Sequence, residues 1–135
     1  MMKTGIKGRH TTVVTEELTA DKIGSGLVPV FATPMMVALM EQTCNESVEP
    51  YLNEGECTVG TRLEINHTAA TAVGMHATCE SELTAVDGRR LTFHVTVHDE
   101  AGQVGDGVHE RCVVDRMRFQ QKAEGRAAAA KTGVA

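Results

Sequence analysis

From Cys57 onward hydrophobic and polar residues alternate with a period of two, the pattern of strands with one buried face. Val59, Thr61, Leu63, Ile65 and His67 share one side of the first strand, and Thr58, Gly60, Arg62, Glu64 and Asn66 the other. The next run keeps the habit, with Val73, Met75, Ala77, Cys79, Leu83 and Ala85 inward against His76, Thr78, Glu80, Glu82 and Thr84 outward. Asp87-Gly88 supplies a two-residue hairpin signal, after which Leu91, Phe93, Val95 and Val97 alternate with Thr92, His94, Thr96 and His98. Val104 to Met117 reads as a fourth strand with weaker phasing, and Thr11 to Val14 as a short strand near the start.

Between these lies one long helix. Thr33 is the expected N-cap, Pro34 the first helical residue, and about Leu52 the end. Met35 to Met40 are consecutively apolar, so this half of the helix needs covering on all sides, by a curved sheet and by a partner chain. A single domain over residues 1–120 is expected, with 121–135 as a frayed helix or disordered tail that has little to bury.

Composition narrows the function. With no Trp, one Tyr and three Phe there are almost no platforms for stacking bases, and a formal charge of -5 opposes bulk attraction to nucleic acid or anionic membranes. An anionic ligand therefore needs a local basic cluster. No apolar run approaches the roughly 20 residues of a membrane span, and the first residues lack the apolar stretch of a signal peptide, so a cytoplasmic protein is expected. The four cysteines are dispersed without metal-ligand spacing, which points to reduced structural thiols, no metal and no cofactor.

Three residues stand against their surroundings. On a helical wheel Glu41 lies within about 60° of Pro34, Val37, Ala38, Cys44, Asn45, Val48 and Leu52. A carboxylate on that stripe must accept hydrogen bonds, meet a cation or hold its proton; snorkelling to a wet dimer seam explains it equally well. His67 shares the parity of apolar residues, whereas His76, His94 and His98 side with polar ones. A lone inward histidine is more often a satisfied core residue than a catalyst, but His67 ends its strand, at a rim that a pocket can reach. Thr33 is accounted for by capping alone. Its functional reading is a hydroxyl beside the backbone donors of Met35 and Met36, where an oxyanion is favoured. Eight helical residues separate Thr33 from Glu41, about 12 Å along the axis, so His67 or a substrate must connect them.

The segments VFATPMMVALMEQTC, PYLNEGECTVGTRLEINHTAATAVG, VDGRRLTFHVTVHD and GDGVHER resemble the fluoroacetyl-CoA thioesterase-like branch of the hotdog-fold thioesterases over roughly Val30 to Val114. The resemblance implies an α+β hotdog fold, a long helix wrapped by a curved antiparallel sheet, in a homodimer with interface active sites or a tetramer of such dimers. It implies a catalytic set of Thr33, Glu41 and His67, with Gly60 and Arg111 near the acyl pocket. It also implies an acyl-CoA substrate. Upstream of Val30, Gly24, Gly26, Leu27 and Val28 stand where the fluoroacetyl-specific enzyme has an aromatic lid, so a short or small substituted acyl group is expected rather than a fluorinated one alone. Arg89, Arg90, Arg116, Arg118 and Lys122 are candidates for the CoA phosphates. Two other readings are a hotdog enoyl-CoA hydratase or dehydratase, and a non-catalytic acyl-CoA-binding module.

Overall fold

The computed structural model describes residues 2–132. Strand β1 (Lys7–Val13) comes first, then a short helix α1 (Ala20–Ile23) and the long helix α2 (Thr33–Val48), which a 3-10 turn continues to Tyr51. Four strands follow, β2 (Glu56–His67), β3 (His76–Asp87), β4 (Arg90–Asp99) and β5 (Gly102–Asp115), then helix α3 (Arg116–Lys131). The five strands form one antiparallel sheet in the order β1-β3-β4-β5-β2, leaving β1 and β2 as edges.

Helix α2 packs on the inner face of that sheet. Its Met36, Leu39, Met40, Cys44 and Val48 meet Cys79, Leu83, Leu91, Phe93, Val95 and Val97, all buried in one core. The alternation along β4 is kept in full: Leu91, Phe93, Val95 and Val97 are buried. The enclosure of the Met35–Met40 run is one-sided. Met36, Leu39 and Met40 are covered, while Met35 and Val37 are half-buried and Ala38 is exposed, so this chain alone leaves the opposite flank of the helix open.

Two strands depart from strict parity. In β2, Gly60 pairs with Arg111 and Arg62 with Glu110, so Thr61 is an extra residue without a partner. One added residue turns the strand over. Before this bulge Thr58 and Gly60 face α2, and after it Leu63, Ile65 and His67 do. The expectation of odd residues inward along the whole strand is thus corrected for its first half. A second irregularity, between Leu83 and Ala85 of β3, leaves Ala85 exposed, and Val73 is exposed in the turn before that strand.

The hairpin turn is Gly88-Arg89, one residue later than Asp87-Gly88, because Asp87 pairs with Arg90. Gly88 adopts φ +60, a conformation that glycine alone takes at no steric cost. The last strand stops at Asp115, whose carboxylate accepts from the Arg118 N–H and caps α3. No residue of α3 is buried. The expected tail extends to residues 133–135, which lie outside the described residues. Among the described residues no helix is long and apolar enough to cross a membrane.

Candidate active site

Helix α2 begins one residue earlier than expected. Ala32 is the N-cap, with extended backbone, and its carbonyl accepts from the N–H groups of both Met35 and Met36 at 3.0 Å. Those two donors are therefore occupied. The helix-mouth donor left without a backbone partner, among the described residues, is the N–H of Thr33. Because Thr33 is not the cap, its hydroxyl is free for another bond, and it lies 2.7 Å from His67 Nδ1. His67 ends β2 opposite Gly105. Thr33 and His67 line a cleft of about 320 Å³ with Ser25, Val30, Phe31 and Thr68. Burial pushes the imidazole below its ordinary pKa, so the ring is neutral at pH 7 and can take a proton. Its other nitrogen, Nε2, is buried and has no hydrogen-bond partner among the described residues.

Two turns further along α2, Glu41 meets a cation. Its carboxylate lies 3.6 Å from Nη1 of Arg111, which is only 6% exposed. The guanidinium is fixed by three further bonds: Nε donates to Thr58 Oγ1 at 2.8 Å, Nη2 to the Thr58 carbonyl at 3.0 Å, and Nη1 to His109 Nε2 at 3.0 Å. Thr58 in turn donates to Asn45 Oδ1 at 2.8 Å, tying this group back to α2. Glu41 itself is not enclosed, with its side chain 41% exposed on the open flank of the helix.

Gly60 has a steric reason to be glycine. A Cβ there would stand 2.5 Å from the Glu41 carboxylate and 3.2 Å from His109 Cε1. Its backbone is ordinary for any L-residue, so Gly60→Ala is expected to fold normally while pushing Glu41 off Arg111. The expected result is a kcat lowered about tenfold or more with an unchanged melting temperature, measured side by side. A variant as fast as the parent would mean that the carboxylate's position is unimportant.

The structure thus groups Thr33 with His67, and Glu41 with Gly60 and Arg111, as two clusters at different points along helix α2. Sequence reasoning missed His109 and Thr58, and placed Asn45 beside Glu41 on the wheel without giving it a role. The signal for His109 was present: it precedes Arg111 by two residues on β5 and so shares its face. Of the basic candidates, Arg89, Arg118 and Lys122 converge with Phe119 on a cleft of about 410 Å³, Arg116 lines another with Arg111, and Arg90 is exposed at the start of β4. All four cysteines are free, and burial pushes the thiols of Cys44 and Cys79 up to about 12 and about 11, which keeps them protonated. No group of three or more potential metal ligands occurs among the described residues.

The fold recurs in known proteins. Residues 14–117 match the fluoroacetyl-CoA-specific thioesterase family. The fluoroacetyl-CoA thioesterase of Streptantibioticus cattleyicolor is 45% identical over 93 residues, covering 69% of this chain and 67% of that protein. The solved structure of the fluoroacetyl-CoA thioesterase FlK superposes with a TM-score of 0.88 at 37% identity, covering 93% of this chain and 97% of that one. A thioesterase superfamily member from Thermus thermophilus superposes with a TM-score of 0.85 at 27% identity, covering 96% and 98%. The helix wrapped by a five-stranded antiparallel sheet is accordingly the hotdog fold, and the chain belongs to the fluoroacetyl-CoA-specific thioesterase family.

Proposed function

We propose that this chain hydrolyses small acyl-CoA thioesters at a site that two copies build together, Thr33 and His67 coming from one and Glu41 from the other. The observation that carries this reading is the Thr33–His67 hydrogen bond with the far imidazole nitrogen left unpaired. A neutral ring that accepts the threonine proton at Nδ1 carries a proton on Nε2, and a buried N–H needs an acceptor. Within one chain Glu41 cannot serve, being about 12 Å from Thr33 along the helix. Its exposed carboxylate, the uncovered flank at Val37 and Ala38, and the free edge of β2 favour a second copy as the source.

The chemistry follows from these positions. An oxygen nucleophile, the Thr33 hydroxyl or a water in its place, gives its proton to His67 Nδ1 as it attacks the thioester carbonyl. The oxyanion forms beside the Thr33 N–H at the positive end of α2. As the C–S bond breaks, His67 returns the proton to the departing sulfur; where Thr33 is the nucleophile, a water deprotonated by His67 then attacks the Thr33 ester, and His67 gives that proton back to the Thr33 oxygen as the free acid leaves. Glu41 of the second copy stabilises the imidazolium that exists between the transfers.

Leu27 is 95% exposed and Val28 58% exposed in the segment that leads to Val30 and Phe31 of the Thr33 cleft. They offer a small aliphatic cover without an aromatic wall, which suits short acyl groups and gives little basis for choosing fluorine over hydrogen. The phosphates of CoA are received by Arg89, Arg118 and Lys122, with the adenine against Phe119. Thiol release across acyl-CoAs of graded length tests the reading: acetyl, fluoroacetyl and propionyl thioesters should all turn over, and the matching acyl-pantetheines should show a higher KM. Enoyl absorbance lost without thiol release, or no turnover of any acyl-CoA, would overturn it.

A further inference from the structure

The surroundings of His109 define a role for it in this site. The ring is fully buried, 0% exposed, on the face of β5 that also carries the buried Arg111. Its two nitrogens face partners that leave no choice of tautomer. Nδ1 lies 2.9 Å from the Arg62 carbonyl, which can only accept, so Nδ1 carries the hydrogen. Nε2 lies 3.0 Å from Arg111 Nη1, which can only donate, so Nε2 offers its lone pair. The Arg62 carbonyl belongs to the first residue after the β2 bulge, and Gly60, just before the bulge, is the residue that admits the Glu41 carboxylate.

We infer that His109 is a positioning residue: it links the bulge of β2 to the Arg111 guanidinium and so sets the place where Arg111 meets Glu41. The inference rests on the reading that Glu41 serves thioester hydrolysis. Arg111 presents Nη1 to both the imidazole and the carboxylate, so the angle of this one group is shared between them. Thr58 holds the same planar group through Nε and Nη2, and the imidazole supplies the third bond, at the nitrogen that faces Glu41.

This linkage is sensitive to a single proton. Protonated His109 would turn an N–H towards Arg111 in place of a lone pair, and the two cations would repel. The charged groups around the ring are Arg111 and Glu110 on its own strand and Glu41 from α2; β2 presents the Arg62 carbonyl and β4 the ring of Phe93, 6.4 Å away between centroids. Burial is the main force holding the imidazole below its ordinary pKa, with Arg111 adding to it, while the Arg62 carbonyl, Glu41 and Glu110 oppose the shift. Thioester hydrolysis therefore requires two neutral histidines in one chain's fold, His67 at the reacting atoms and His109 behind Arg111.

The test is the acid limb of kcat/KM for acetyl-CoA in the full-length protein and in His109→Gln, whose amide oxygen accepts from Arg111 but does not titrate. The parent is expected to fall with a limiting slope of about two and the variant with a slope of about one, while the variant keeps most of its plateau turnover at pH 8. His109→Leu, which lacks any acceptor, should lose about tenfold or more in kcat with little change in KM. A merely structural role would lower the melting temperature and leave both slopes alike, which overturns the proposal. The contact is also read without turnover. ¹⁵N NMR should show His109 protonated at Nδ1 and bare at Nε2, with its resonances moved by Arg111→Gln, and the opposite tautomer overturns the proposal whatever the kinetics. If Glu41→Gln leaves kcat unchanged while the tautomer is as stated, the catalytic reading of Glu41 falls, and with it the role of His109 in turnover.

Discussion

His67→Ala is expected to lower kcat for thiol release by about 10²–10⁴-fold, with Glu41→Gln falling in the same range. The first substitution removes the base that, among the described residues, hydrogen-bonds the Thr33 hydroxyl, 2.7 Å from the ring. The second keeps the shape of the side chain and removes its charge, so the imidazolium formed during proton transfer loses its counter-ion. Neither residue belongs to the apolar core, and Glu41 is 41% exposed, so both variants should fold. Circular dichroism and melting curves recorded with the kinetics separate lost chemistry from lost structure. Turnover at the parent rate in either variant would remove that residue from the mechanism.

Mixing those two inactive variants is expected to restore activity. When chains carrying His67→Ala and Glu41→Gln are co-expressed and assemble at random, half of the dimers are mixed. Each mixed dimer then holds one site with an intact His67 from one chain and an intact Glu41 from the other. The expected recovery is roughly a quarter of the parent's rate per chain, from a background at least a hundredfold lower. The expectation depends on the division seen here, with Thr33 and His67 at one end of the helix and Glu41, Gly60 and Arg111 further along it. If each chain held a whole site, mixing would restore nothing. Separately purified parents, combined after assembly, provide the baseline.

Much of this arrangement was legible in the sequence where a periodic rule holds. The four buried apolar residues of β4 and the Pro34 start signal depend only on local repeat and backbone chemistry. Where one inserted residue breaks the repeat, parity misleads: Thr61 turns β2 over, so Thr58 faces inward although its number says otherwise. Thr33 shows a different limit. Capping preference assigns its hydroxyl to the helix backbone, but His67, 34 residues away, lies close enough to take it. The Glu41 stripe was visible on the wheel, and its cation was not, because Arg111 reaches it across two strands that only the sheet order brings together. His109 could have been noticed as an inward polar residue beside Arg111, although its bond to the Arg62 carbonyl depends on a bulge that no propensity announces.

Helix α3 carries five basic residues and one acidic one, leaving eight basic and seventeen acidic residues on the rest of the chain. The molecule is therefore an electric dipole, with a positive arm of +4 on a body of -9. A polyanion diffusing towards it is repelled over most orientations and drawn in over one, so encounters are oriented before any contact forms. Salt shortens the reach of both fields to about 8 Å at physiological ionic strength, and association should slow with added salt while the chemical step stays constant.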